Sequence, residues 1–215
     1  MEYQLIALDL DGTLIDSTKR HWVLMAKLLK QYCPEKAGEF DAAGYMQYKA
    51  DGHSGKQYLT EILHLEDAKA GEIQREWQAH IEEEEYLKLD QLYDDTIPFL
   101  EGRKEQGDTI IYLTARQSRQ GLYAALDRLK IRDYASRVIV VDPQNAKAEK
   151  VAAAQELQRA GADLMLVGDT ENEYAAAQEL QVPVYLLNRG FRSKKYWDAC
   201  EVITYESLSD IMTGY

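Results

Sequence analysis

The sequence predicts an α/β fold: a Rossmann-like, three-layer parallel-sheet core with an all-α helical domain inserted after its first strand. Three observations carry this prediction. Short apolar runs without polar alternation recur along the chain, as in strands buried on both faces. From residue 107 onward these runs alternate with segments of helical period, the pattern of parallel βα units. Between residue 18 and about 106 the alternation stops and helix follows helix, so that stretch reads as an insertion.

The first strand is the run QLIALD at 4–9, closed by an acid and the turn residues Gly12 and Thr13. The insertion opens with a helix over 19–32 that carries Trp22, Met25, Leu28 and Leu29 and is stopped by Cys33-Pro34. A second helix is predicted over 56–65, with Tyr58, Leu59, Ile62 and Leu63 on one face. A third is predicted over 68–87, through Ile73, Trp77 and Ile81. Its four-glutamate run, 82–85, reads as a solvated helix face. The core then continues with a strand at 109–114, a helix at 118–130, a strand at 137–141 and a helix at 148–160. A strand at 164–168, a helix at 171–180, a strand at 182–187, a short strand at 201–204 and a helix at 206–212 complete it. The predicted division is therefore 1–16 with 97–215 as the core and 17–96 as the helical insertion.

With 46% hydrophobic and 29% charged residues in 215, the chain has the composition of a globular domain carrying a modest insertion, not of a disordered or low-complexity protein. Lys and Arg number 25 against 37 Asp and Glu, a formal charge of −12 that repels phosphate backbones and anionic lipid. Nucleic acid and membrane are accordingly excluded as expected partners. No run approaches the roughly 20 apolar residues that span a bilayer, and the start at 1–4 lacks the basic and apolar regions of a signal peptide, so the expected location is cytoplasmic. Cys33 and Cys200 lie far apart and match no disulfide or thiolate-metal spacing. With four histidines in the chain, a metal would be held by oxygen and would be a hard ion, Mg²⁺.

Open parallel sheets gather ligands at the carboxyl ends of their strands. Here those ends carry Asp9-Leu10-Asp11-Gly12-Thr13, then Thr114-Ala115-Arg116, then Gly168-Asp169-Thr170-Glu171-Asn172-Glu173. Asp142, Lys147 and Lys150 follow the strand at 137–141. Clustered carboxylates stay ionised only beside a cation, so Asp9 and Asp169 together ask for Mg²⁺. A hydroxyl and an ammonium opposite them would hold phosphoryl oxygens. Asp16, Asp142 and Glu171 read as helix caps or turn formers. The D-x-D-G loop has the wrong spacing for an EF-hand, and Gly52-His53-Ser54-Gly55-Lys56 lacks the frame of a phosphate loop or nucleophile elbow.

LDLDGTLIDS at 8–17, YLTAR at 112–116 and LVGDTENE at 166–173 resemble the signature loops of the haloacid dehalogenase superfamily, in order and each at a strand end. The resemblance covers nearly the whole chain and includes a helical cap after the first strand. It implies that Asp9 is the nucleophile and a metal ligand, and that Asp11 is the general acid and base, its backbone carbonyl ligating metal. Thr114 would bond a phosphoryl oxygen, helped by free N–H groups at the start of the next helix, including that of Ala115, and Asp169 would complete the metal site. The family lysine is Lys147 or Lys150, and Lys147, nearer the loop, is the choice. Glu173 stands where the family often has a second aspartate and ranks below Asp169. Arg116, His21 and Lys56 join Ala115 as expected substrate-binding residues, among cap-region cations that also include Lys19, Arg20, Lys49 and His53.

His21 resembles a cap-hinge histidine of the phosphoglucomutase branch. The stretch 52–56 looks like a substrate-specificity loop or a plain connector, and 188–193 is similar to a segment of phosphoglycolate phosphatase-like members. The implied activity is Mg²⁺-dependent hydrolysis of a small phosphorylated metabolite, a phosphate monoester, through an aspartyl-phosphate, by a monomer or homodimer. The alternatives are a phosphosugar mutase, a 2-haloacid dehalogenase, which needs neither Asp11 nor a metal, and a non-catalytic metabolite binder.

Overall fold

The computed structural model describes residues 4–159 and 163–212. Residues 1–3, read above for a leader, and residue 160, the expected end of one helix, lie outside the described residues. The chain enters through β1 (Gln4–Leu8) and a short β2 (Ile15–Asp16). It then forms α1 (Thr18–Tyr32), α2 (Ala42–Ala50), α3 (Gly55–Gln57) running into a π-helical turn (Tyr58–Ile62), α4 (Asp67–His80) and α5 (Glu84–Leu87). After β3 (Gln91–Leu92) and α6 (Thr96–Glu105) come β4 (Thr109–Ala115), α7 (Arg119–Leu129), β5 (Arg137–Val141) and α8 (Ala146–Arg159). The chain closes with β6 (Asp163–Gly168), α9 (Glu171–Leu180), β7 (Val184–Leu186), α10 (Lys194–Ala199) and α11 (Leu208–Met212).

Five strands make one parallel sheet in the order β5-β4-β1-β6-β7, with the first strand at its centre. Strand residues point alternately to the two faces, and the core divides accordingly. Ile6, Leu8, Ile110, Tyr112, Met165 and Val167 pack with Phe99 and Leu100 of α6 and Leu122 and Leu126 of α7. Ala7, Ile111, Leu113, Leu164 and Leu166 pack on the opposite side with Ala154 and Leu157 of α8 and Ala176, Ala177 and Leu180 of α9. Both faces are covered, which is why the strands read as unbroken apolar runs.

The helices between α1 and α5 bury a third cluster of their own, with Leu24, Met25, Leu29, Tyr45, Leu59 and Ile73 at its heart. The chain leaves the sheet layer and returns to it along an antiparallel two-strand ribbon, Ile15 opposite Leu92 and Asp16 opposite Gln91. This ribbon was invisible in the sequence, because two-residue strands carry no period.

Three other expectations change. The helix expected over 68–87 breaks after His80, because Glu82 turns out of the helix to bond the N–H groups of Gln117 (2.9 Å) and Ser118 (2.7 Å). Glu82 is therefore not part of a solvated face, whereas Glu83, Glu84 and Glu85 are exposed as expected. The segment at 201–204 forms no strand, and the chain touches the sheet there through a single bridge between Leu187 and Tyr205. The helix α2 was missed altogether. Its apolar residues lack a clear stripe, and it is started by Asp41, whose side chain accepts from the Ala43 N–H at 3.1 Å.

Candidate active site

The centre of the sheet is also its switch point, since the chain runs from β1 through β4 to β5 on one side and then crosses back to β6 and β7 on the other. Asp9 is the first residue beyond β1, and its N–H still donates to Val167 O at 2.9 Å, so the strand ladder fixes its place. The chain then wraps tightly, with Leu10 O accepting from the N–H groups of Thr13, Leu14 and Ile15. Gly12 takes φ +81 in this turn, and a Cβ there would stand 2.1 Å from Asp169 Oδ2, so only glycine fits. A cavity of about 340 Å³ opens above this rim, walled by Asp9, Asp11, Thr114, Arg116 and Lys150 below and by His21, Trp77, Ile81 and Phe191 above.

Four charges crowd its floor. Lys150 Nζ lies 3.0 Å from Asp9 Oδ1 and also contacts Glu173 Oε1. Glu173 reaches this lysine while capping its own helix, its other oxygen accepting from the N–H (3.2 Å) and hydroxyl (2.7 Å) of Thr170. Asp169, fully buried, accepts from Phe191 N–H (2.5 Å) and from the Thr13 hydroxyl (3.3 Å). Burial pushes Asp9 up to about 6, with Lys150 opposing and Glu173 and Asp11 adding to the rise. Burial likewise drives Asp169 well above the usual carboxylate range, reinforced by Asp9 and Glu173. Burial works against the Lys150 ammonium, but Asp9 and Glu173 outweigh it and hold the charge in place. Three acids against one lysine leave negative charge in excess, and an additional cation is what such a floor favours.

Asp11 faces a different environment. Arg20 Nη2 stands 2.7 Å from its Oδ1 and Arg116 Nε 2.7 Å from its Oδ2. Burial alone would raise the Asp11 carboxyl, yet Arg116 and then Arg20 outweigh it and hold it below the ordinary carboxylate value. Behind the two guanidiniums lies Asp90, fully buried, 3.2 Å from Arg20 and 3.6 Å from Arg116. Burial lifts Asp90 to about 6 against the pull of these arginines. On the upper wall, Lys49 Nζ approaches His21 Nδ1 at 2.9 Å and lies over the rings of Trp77 (4.9 Å), Tyr45 (5.5 Å) and Phe191 (5.5 Å). Burial, then Arg192 and Arg20, bring Lys49 down to about 7. Burial, then Lys49, Arg20 and Arg116, hold His21 well below its ordinary value, so its ring is neutral.

With this geometry in view, the sequence profile of haloacid dehalogenase-like hydrolases matches residues 3–181. The chain belongs to the haloacid dehalogenase-like hydrolases. Solved structures share the fold of this hydrolase at low identity. A candidate phosphatase from Clostridium difficile superposes with a TM-score of 0.76 at 18% identity, covering 99% of both chains. A predicted phosphatase from Clostridium acetobutylicum gives 0.71 at 16%, covering 98% of this chain and 97% of its own. A predicted phosphoglycolate phosphatase from Haemophilus somnus gives 0.71 at 18%, covering 99% and 97%. No curated protein matches the chain in sequence.

The hydrolase brings Asp9, Asp11, Thr114, Ala115, Arg116 and His21 together around one cavity, with Asp169 directly beneath Gly12. Two expected residues are not there. Lys147, in the first turn of α8, is exposed and faces away, while Lys150, one turn further on, is 2% exposed and touches Asp9. Lys56 pairs with Asp67 at 2.6 Å on the outside of the helical layer, and the stretch 52–56 is a connector whose Ser54 caps the next helix. Of the N–H groups ahead of α7, those of Gln117 and Ser118 are taken by Glu82, and that of Arg116 bonds Val141 O at 3.2 Å. Sequence reasoning missed Asp90 entirely. Its one signal was an acid beside Leu89 just past the helix expected over 68–87.

Proposed function

We propose that this hydrolase is a Mg²⁺-dependent phosphatase of small phosphate monoesters that works through an aspartyl-phosphate. The observation that carries the reading is Asp9: a carboxylate at the carboxyl end of the central strand, open to a small cavity, with Lys150 at 3.0 Å and Asp169 buried behind it. Residues 17–96 are read as its cap, since they bury their own core and roof the cavity with Trp77 and Ile81.

The donor set suits a hard cation. Among the described residues no three His, Cys, Asp or Glu side chains form a ready cage, so the ion would use the carboxylates of Asp9 and Asp169, the backbone carbonyl of Asp11 and water. Mg²⁺ bound there would neutralise phosphoryl oxygens and keep Asp9 ionised. Asp9 attacks phosphorus, the bond to the leaving oxygen breaks, and that oxygen takes a proton from Asp11. Asp11 then takes a proton from water, whose oxygen attacks the phosphoryl group and restores free Asp9 and phosphate. Lys150 and the Thr114 hydroxyl hold the phosphoryl oxygens meanwhile. Held between two guanidiniums, Asp11 is a carboxylate, so it must come away from them to carry the first proton. An Asp at this position also separates the reading from a dehalogenase, which has no leaving oxygen to protonate. Phosphate release from a panel of esters, with and without Mg²⁺ and with Asp9→Asn as control, tests the proposal.

A further inference from the structure

Asp11, Arg20, Arg116 and Asp90 form a closed ring of alternating charge. Each arginine reaches both aspartates, at 2.7 and 3.2 Å for Arg20 and at 2.7 and 3.6 Å for Arg116. The side chains of Arg20, Arg116 and Asp90 are 4%, 1% and 0% exposed, whereas that of Asp11 is 13% exposed, so Asp11 is the most open corner, the two arginines line the cavity beside it and Asp90 lies behind them. The corners come from different parts of the fold: Asp11 and Arg116 stand on the rim of the sheet. Arg20 lies in the first turn of α1 and Asp90 one residue before β3, the two places where the chain crosses between layers.

Resting on the phosphatase reading, we infer that Asp90 is a positioning residue for Asp11: it holds the two buried guanidiniums so that Asp11 is free to leave them and serve the leaving oxygen. A buried charge left without a partner is costly, and two arginines with Asp11 as their sole carboxylate would keep it locked between them. With Asp90 behind them, they remain paired when the Asp11 carboxylate swings into the cavity. Asp90 Oδ1 carries no hydrogen bond among the described residues, so this carboxylate has room to take up an N–H that Asp11 gives up. The same ring ties the setting of Asp11 to the crossing points of the cap, because Arg20 and Asp90 move with the chain there.

The test is a kinetic cycle on the full chain, with Mg²⁺ and the best ester of the panel. Asp90→Asn is expected to lower kcat about ten- to a hundredfold, a partial loss below the full value of acid–base assistance, with KM nearly unchanged. Asp90→Glu, which keeps the charge, is expected to recover much of the loss. In an Asp11→Asn background, Asp90→Asn is expected to change nothing further. An unchanged kcat, a loss confined to KM, or the same loss with and without Asp11 would each overturn the inference. If Asp90→Asn does not fold, as judged by thermal unfolding, Asp90→Glu alone is carried through the cycle, and an effect that persists without Asp11 is then the contradicting result. Should the wild type release no phosphate from any ester, the phosphatase reading fails by itself. The crystal structure of Asp90→Asn then decides the positioning: the inference requires Arg20 or Arg116 to shift, and an unmoved Asp11–Arg20–Arg116 set contradicts it.

Discussion

Asp9 and Asp11 lie two residues apart on one loop and are tuned in opposite directions. Asp9 is raised to about 6 by burial among acids, and Asp11 is held down by two guanidiniums that outweigh its burial. This split runs against the proposed tasks as it stands, so the nucleophile needs a cation beside it to be ionised and the proton carrier must leave its guanidiniums to be protonated. The lysine that balances Asp9 is Lys150, and the sequence chose its neighbour in error for a geometrical reason. Lys147 is closer in sequence to the strand end, but α8 begins at Ala146, so the first inward-facing position comes one turn later. Lys150→Ala is expected to cut kcat/KM by at least a hundredfold, as loss of a charge-stabilising donor does, while Lys147→Ala leaves it within a factor of two. Steady-state kinetics on the two variants measures this directly. Asp9, Asp11, Thr114 and Asp169 were legible because each closes an apolar strand. Arg20 was legible only as one of several cap-region cations and Asp90 not at all, since their pairing depends on two distant crossings meeting in space, 70 residues apart.

At the scale of elements, the strands of the sheet could be read because burial on both faces confines their polar residues mostly to the ends. The insertion was read less well, for there tertiary bonds override local preference. Glu82 shows this: it sits in a run with strong helix propensity, yet it leaves the helix to satisfy two N–H groups ahead of α7. That bond fastens the helical layer to the loop that follows Thr114 and Ala115 at the end of β4. Charge-assisted bonds of this kind contribute roughly 1.5–3 kcal/mol. Glu82→Gln is expected to raise KM about tenfold while kcat falls much less, because the helical layer is held less firmly to that loop. A second fastening lies across the cavity, where Ser193 Oγ donates to Asp51 Oδ1 at 2.7 Å and Ser193 N–H to Ala50 O at 2.8 Å. Phe191, two residues before it, donates its N–H to Asp169 and packs on His21 at 4.7 Å between ring centres. The floor of the site and the cap therefore share one short segment of chain.

For the whole molecule, the floor of the cavity carries a cost that depends on pH. Asp9 and Asp169 bind protons more tightly when folded than when unfolded, so their contribution to stability is full at acid pH and is lost as pH rises through the folded values, about 6 for Asp9. A cation between them removes that cost, and it competes with protons for the same oxygens. Saturating Mg²⁺ is therefore expected to raise Tm by several degrees at pH 7.5 and by much less at pH 5, as read by thermal unfolding at both pH values. An equal gain at the two pH values would mean that the ion binds elsewhere. The net charge of −12 acts in the same sense, since a divalent cation is drawn to the protein and a large polyanion is repelled.

The proposed hydrolysis depends on Asp9 as a nucleophile toward phosphorus. The most direct test is phosphate release from a panel of small phosphate monoesters by the wild type and by Asp9→Asn, each with Mg²⁺ and with EDTA. Release by the wild type that requires Mg²⁺ and falls by at least a thousandfold in Asp9→Asn is the predicted result. Release that survives in Asp9→Asn, or that is indifferent to EDTA, would contradict it.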